Sequence, residues 1–482
     1  MLNGKIIGRV LGILLIMEGI CMLTIIPVSL YYAEGDLLPV VISTFITLAV
    51  GVLMSQLFRD HNSTIGKREG YLIVTGSWLI FSLFGSLPFT IGNAIPSYTD
   101  AFFETISGFT TTGASILTDP ESMSHGLLYW RSMTQWLGGM GIIVLSLAIL
   151  PILKIGSMQL FSAEVPGPTP DKLHPKIRET AKRLWLIYLG FTLTEALLLK
   201  LGGMSFFDAI CHSFTTMATG GYSTKTASIA AFNTPYIHYV ITVFMVIAGT
   251  NFSLAYFGLH GRFRKIFTNE EFLFYISLLL AFIIGVTAVL YFSQGHPLEE
   301  SFRNAAFQVV SIVTTTGYAT SDYCSWGPFL ILVIFILMFT GGSAGSTGGG
   351  IKMVRLLLLA KNSRQELSRL IHPNAVIPVR LNHKVVPQNM LYNVLAFIVF
   401  YFLITGISAM IISAMGYDLA SSFSSVAATL GNIGPGQGEV GPTMNYAHFP
   451  DFGKWFLSFL MLLGRLELFT VLVLLTRWFY KN

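Results

Sequence analysis

The chain has 482 residues, of which 53% are hydrophobic and only 11% charged, with a formal net charge of +5. Soluble domains are about a quarter charged, so this composition, with a mean hydropathy of +0.66, excludes an ordinary soluble protein and implies a polytopic membrane protein. The basic residues cluster between apolar segments, so the positive balance does not point to nucleic acid. Cys21, Cys211 and Cys324 are far apart and suggest neither a disulfide framework nor a cysteine metal site.

A bilayer core takes about 20 apolar residues to cross. In chain order, ten segments qualify, at approximately 10–31, 38–58, 70–93, 126–153, 184–201, 234–259, 272–292, 326–360, 389–415 and 454–479. The first is too long for a signal-peptide core and lacks a small-residue cleavage site, so it is expected to stay as a span. Lys and Arg set the orientation. With the N-terminus inside, Lys5, Arg9, Arg59, Lys67, Lys154, Lys172, Arg262, Lys361, Arg380, Arg477 and Lys481 all fall on the cytoplasmic side. The opposite side keeps Lys200, Lys225, Arg303 and Lys454 among many acids. Both termini are therefore expected in the cytoplasm. Residues 154–183 hold Pro166, Pro168, Pro170 and Pro175 and read as a partly extended loop. No segment is large enough for a cytoplasmic domain.

Four further segments, at about 98–110, 206–218, 299–314 and 418–430, are too short to cross and read as re-entrant half-helices. Each opens near an acid (Asp100, Asp208, Glu299/Glu300 or Asp418) that complements the positive end of a helix dipole. Each is followed by a run of small residues around a glycine. The four runs are Thr110-Thr111-Thr112-Gly113, Ala218-Thr219-Gly220-Gly221, Thr314-Thr315-Thr316-Gly317 and Gly431-Asn432-Ile433-Gly434. Self-similarity of this kind is the mark of a repeat architecture. The expected fold is an all-α polytopic membrane protein. It has an N-terminal hairpin (1–69) and four membrane–pore-helix–membrane repeats (70–153, 154–265, 266–384, 385–482) in pseudo-fourfold arrangement.

Glycine accepts backbone angles closed to other residues, so such loops can turn their carbonyls to a common axis. Four of them make a ring of oxygens that can replace the water shell of a potassium ion. One Gly/Thr turn alone would be an ordinary outer loop; four, each after a half-helix and between spans, argue for a shared site. Inward-pointing helix C-termini would add negative potential at mid-membrane, favouring a cation. His212, on the second half-helix, reads as a packing histidine with a satisfied hydrogen bond rather than a metal ligand.

The eighth span is interrupted by Thr340-Gly341-Gly342-Ser343-Ala344-Gly345-Ser346-Thr347-Gly348-Gly349-Gly350. Glycine costs about 1 kcal/mol per residue in a helix relative to alanine, so the span should break into two helices joined by an intramembrane loop. That loop would lie just below the carbonyl ring, where it could block passage. A small-residue packing face and a phosphate-cradling loop are the competing readings; the latter lacks a GK[ST] ending. Arg465 lies within the last span, and an intramembrane charge is a functional hypothesis by default. It is expected to face the pore and hydrogen-bond loop 341–350, the alternative being a structural pair with Glu195 or Glu18. Glu467, two positions on, should face elsewhere.

The four glycine loops, the broken eighth span and Gly464-Arg465 together resemble the Trk/Ktr/HKT superfamily of potassium transporters over essentially the whole chain. The extra N-terminal hairpin is similar to the longer members of that family. The resemblance implies one subunit carrying four repeats, a homodimer with one pore per protomer, and a cytosolic ring of TrkA-type nucleotide-binding regulatory subunits. It also implies ion-coordinating carbonyls just before each glycine. By position the filter glycines are Gly113, Gly221, Gly317 and Gly434, and the carbonyls belong to Thr111 and Thr112, Thr219 and Gly220, Thr315 and Thr316, and Asn432 and Ile433. The fourth set departs from the Thr-rich pattern. In the family, serine at the first glycine goes with sodium permeation, so Gly113 implies potassium. Gly341, Gly342, Gly345, Gly348, Gly349 and Gly350 with Arg465 would form the gate.

The expected function is potassium uptake across a bacterial inner membrane, with potassium as substrate, no bound cofactor and no covalent chemistry. The rival class is a secondary transporter coupled to sodium or protons, which would call for inverted repeats and membrane acids at the site.

Overall fold

The computed structural model describes residues 2–58, 66–141, 177–372, 374–375 and 377–480. The expectations for Arg59, for the proline-rich stretch up to Lys176, for the end of the fourth span and for Lys481 lie outside the described residues.

An N-terminal hairpin packs helix Gly4–Met22 against Leu37–Leu57. Glycines let the two backbones touch: a Cβ on Gly12 would sit 2.6 Å from Ser55 N, and one on Gly51 would sit 2.9 Å from Gly12 O. Close approach through small residues is how helices associate where lipid supplies no hydrophobic drive.

Four units of one pattern follow. In each, a first membrane helix leads to a short helix, a glycine loop and a second helix. The first helices are Lys67–Gly85 (continued by Leu87–Ile91), Ile177–Leu201, Glu270–Gln294 and Gln388–Ser413. The short helices are Tyr98–Phe109, Phe206–Met217, Leu298–Val313 and Leu419–Leu430, within a residue or two of the expected half-helices. Their starts are chemically defined. Ser97 and Ser205 accept from the backbone N–H of Asp100 and Asp208, and Asp418 accepts from Ala420 and Ser421. Such caps satisfy N–H groups that no helix can pair internally.

The second helices bring a correction. Among the described residues, six helices are long and apolar enough to cross unbroken, rising to eight if each sharply bent pair is one span. One break was expected, in repeat 3, where Pro328–Leu337 and Met353–Ile371 flank the glycine stretch. The second helices of repeats 2 and 4 are broken too. Pro235–Ala248 turns by 107° into Phe252–Leu259, and Asp451–Arg465 by 112° into Phe469–Leu475. The first bend has a local cause, since Asn251 restarts the helix by accepting from Ser253 N at 2.8 Å. The second passes through Glu467 and Leu468, both at positive φ (53° and 59°). In repeat 1, His125–Trp136 runs into a π-helical turn, Leu137–Gly141. The all-α expectation also misses a two-residue ladder, Arg380–Leu381 with Lys384–Val385, in the loop before the last repeat.

The units close into a ring. The second helix of repeat 1 packs on the short helix of repeat 2, that of repeat 2 on the short helix of repeat 3, and Asp451–Arg465 on Tyr98–Phe109. The last contact carries an ion pair, Lys454 Nζ to Asp100 Oδ1 at 2.5 Å, with Lys454 buried. Large apolar side chains such as Phe45, Leu197, Ile284 and Met410 face outward and are exposed. Monomeric soluble proteins rarely expose patches of this extent; here they form the lipid-facing surface.

A fourfold glycine ring and the loop beneath it

The short helices bring the four glycine loops together at one place. Each loop has the same backbone. The residue two before the glycine is left-handed: Thr111 (φ 53°), Thr219 (53°), Thr315 (61°) and Asn432 (54°). The glycine is left-handed as well: Gly113 (78°), Gly221 (75°), Gly317 (80°) and Gly434 (100°). Asparagine tolerates this region, but threonine, being β-branched, is an outlier there. Such strain costs about 1–3 kcal/mol per residue and clusters at functional sites. The fourth loop, divergent in sequence, therefore shares the fold of the other three.

The loops touch in cyclic order. A Cβ on Gly113 would lie 2.0 Å from Gly220 O, one on Gly221 1.9 Å from Thr316 O, one on Gly317 1.9 Å from Ile433 O, and one on Gly434 2.8 Å from Thr112 O. Loop 1 thus meets loop 2, 2 meets 3, 3 meets 4, and 4 returns to 1. Only glycine leaves room for the neighbouring carbonyl. All four glycines also line a single cavity of about 120 Å³.

The carbonyls in this ring are underused. Among the described residues, the buried carbonyl oxygens of Thr111, Thr112, Thr219, Thr315, Thr316, Asn432 and Ile433 accept no hydrogen bond. Gly220 O accepts from Gln135 Nε2 at 2.7 Å. Buried carbonyls are nearly always paired, so a cluster without partners calls for an explanation, and a bare cation is one.

The expected gate loop lies against the face of this ring at the C-terminal ends of the short helices. Its neck is closed by the parallel bridge Thr340–Ile351 and by Gly341 N donating to Ile351 O at 2.9 Å. Its tip touches three quadrants. Thr347 Oγ1 donates to Met217 O (3.0 Å), and Gly349 N to Thr315 Oγ1 (2.7 Å). A Cβ on Gly349 would fall 2.6 Å from Gly431 O. Gly342 and Gly345 lie against repeat 2, with Ser343 N donating to Gly249 O and Phe252 N to Gly345 O. Gly348 O accepts from Lys352 Nζ, and Gly350 turns the chain at φ 65°.

Arg465 closes the fourth side. Its Nη1 donates to Thr347 O (2.7 Å) and Thr111 Oγ1 (2.9 Å), and its Nη2 to Gly138 O (2.5 Å) and Gly139 O (2.8 Å). One guanidinium therefore holds the loop, the first glycine turn and the end of the second helix of repeat 1. These partners are neutral oxygens rather than Glu195 or Glu18. Glu467 does face elsewhere and pairs with Arg355.

Sequence reasoning missed the residues that brace the ring. Gln135 donates to Gly220 O and accepts from Tyr222 N (3.1 Å). Tyr446 OH donates to Gly434 O (2.8 Å) and Tyr323 OH to Gly436 O (2.7 Å). His212 is the satisfied histidine expected, with Nδ1 2.7 Å from Asp208 O and Nε2 2.9 Å from Ser223 Oγ. Nothing local marks Gln135, Tyr323 or Tyr446; the one positional regularity near the ring is a polar residue nine positions before each ring glycine, as Glu104, His212, Gln308 and Ser425.

A broken-helix membrane protein with a cyclic glycine ring at its centre defines a class of cation-transport proteins, and the comparisons agree. The family described as TrkH, cation transport protein, matches residues 38–478, and the chain belongs to it. It is 43% identical over 482 residues to the Trk system potassium uptake protein TrkH of Salmonella typhimurium, covering 99% of each chain. It is 33% identical to the Trk system potassium uptake protein TrkG of Escherichia coli, again covering 99% of each. The crystal structure of the potassium transporter TrkH from Vibrio parahaemolyticus superposes with a TM-score of 0.90 at 38% identity, covering 100% of both chains.

Proposed function

We propose that the chain is the membrane subunit of a potassium-uptake system, and that the four glycine loops are its selectivity filter. The observation that carries this is the cyclic contact of four loops in which seven of the eight carbonyls named below accept no hydrogen bond among the described residues. Oxygens fixed in such a ring exchange for the water around a weakly hydrated cation. The coordinating carbonyls are those of Thr111, Thr112, Thr219, Gly220, Thr315, Thr316, Asn432 and Ile433. Potassium then passes when loop 341–350 withdraws from its seat under the ring, with Arg465 as the pin that holds it. The names of the full-length relatives support potassium as the substrate.

The protein works as a homodimer in a bacterial inner membrane, with both termini and the neck of the gate loop on the cytoplasmic side. A TrkA-type nucleotide-binding subunit supplies the regulation. The test is rubidium uptake into liposomes containing the purified protein, with and without a proton gradient. Uptake down the rubidium gradient alone, competed by potassium and not by sodium, is expected. Uptake that requires a proton or sodium gradient would favour the coupled transporter.

A further inference from the structure

The outer faces of the first two glycine loops share a buried ion pair. Glu104 sits on the short helix Tyr98–Phe109, and Arg131 on the second helix of the same repeat. Arg131 Nε donates to Glu104 Oε1 at 2.7 Å, and the two side chains are 4% and 1% exposed. The carboxylate also accepts from Ile116 N (2.9 Å) and Ser115 Oγ (3.0 Å), on the segment leaving loop 1. The guanidinium reaches the other way. Its Nη1 donates to Ser223 O (2.9 Å), on the segment leaving loop 2, and it lies 3.6 Å from the Tyr222 ring centroid. Tyr222 OH returns to Glu104 O at 2.6 Å. One pair therefore grips both loops at their outer ends.

The arrangement is confined to one quadrant. The equivalent positions hold His212, Gln308 and Ser425, none of which is a carboxylate. The Arg131 side chain also lines the cavity that all four glycines share. A bare guanidinium there would oppose an arriving cation, and Glu104 is the group that cancels it. A buried pair that loses one partner leaves an uncompensated charge, so the two must act together.

We propose that the Glu104–Arg131 pair is a positioning element that sets ion selectivity, holding loops 1 and 2 at potassium spacing while balancing charge at the outer mouth. This rests on the assignment of the glycine loops as the filter. The test compares sodium with rubidium flux in liposomes for full-length Glu104→Gln, Arg131→Lys, the double variant Glu104→Gln/Arg131→Gln, and Gly113→Ser as a probe of the filter itself. Glu104→Gln is expected to raise the sodium-to-rubidium flux ratio by about tenfold, because it frees one loop and unmasks a charge. Arg131→Lys keeps the charge but loses the planar fork to Ser223 O, and should raise the ratio by about threefold. The double variant removes the stranded charge and should reverse part of the rise in the ratio. A merely structural role would lower yield or melting temperature at a constant ratio. If Gly113→Ser shifts the ratio while Glu104→Gln and Arg131→Lys leave it at the wild-type value, the positioning role is overturned and the filter stands. If Gly113→Ser also has no effect, the filter assignment falls, and the positioning role falls with it. Should Glu104→Gln fail to fold, Arg131→Lys decides alone.

Discussion

Removing the Arg465 side chain is expected to release the loop beneath the glycine ring. The guanidinium makes one direct bond to that loop, at Thr347 O, and braces the same position through Thr111, Gly138 and Gly139. A hydrogen bond involving a charged group contributes about 1.5–3 kcal/mol net. At about 1.4 kcal/mol per factor of ten, losing the Thr347 bond alone shifts the seated-to-released ratio of the loop by about ten- to hundredfold. The remaining loop contacts, Gly349 N to Thr315 Oγ1 and Thr347 Oγ1 to Met217 O, are neutral and weaker. Liposomes carrying Arg465→Ala, without any regulatory subunit, should therefore take up rubidium at least about tenfold faster than wild type. Arg465→Lys keeps the charge but cannot serve four oxygens with one fork, so it should fall between the two. Folded Arg465→Ala protein with flux at or below the wild-type level would refute the gating role.

Three further outcomes follow from the same geometry. Gly221→Ala would put a methyl 1.9 Å from Thr316 O, at φ 75°, and should abolish rubidium flux while the helical circular-dichroism signal persists. Glu467→Gln strands Arg355, whose side chain is 6% exposed and also lies 3.9 Å from the Phe397 ring centroid. Breaking such a buried pair costs about 3–5 kcal/mol, which should appear as a clearly lower melting temperature in detergent. Tyr446→Phe deletes the hydroxyl that donates to Gly434 O and should cost about 1 kcal/mol at the fourth loop. A weakened preference for rubidium over sodium is its readout, and an unchanged preference would show that the brace is dispensable.

Much of this fold could be read from the chain because membrane proteins write their topology in long apolar runs and short capped helices. The four half-helices, the acids near their starts and the glycine break of repeat 3 all carry local signals. The bends in repeats 2 and 4 do not. Gly249-Thr250-Asn251 and Leu466-Glu467-Leu468 are too brief to interrupt an apolar run, and Asn251, which caps the helix after the first bend, is only a weak local sign of it. Gly464 shows how closely the last repeat packs on itself, since a Cβ there would fall 2.0 Å from Leu430 O at the end of the fourth short helix. The ring residues were legible because glycine recurs at one offset. The braces were not, because Gln135, Arg131 and Tyr446 reach the ring from other segments, and the atoms that Gln135 and Tyr446 bind are main-chain atoms that leave no trace in composition. The left-handed threonines are likewise invisible in sequence, since threonine gives no warning of a positive φ.

The central claim is that four loops of one polypeptide hold a dehydrated cation with backbone oxygens. The most direct measurement is anomalous scattering from crystals of the full-length protein grown in rubidium. Peaks on the axis enclosed by Thr112, Gly220, Thr316 and Ile433, lost in Gly113→Ser crystals, are the expected result. An axis without rubidium, with peaks only among the outer-loop acids, would contradict it.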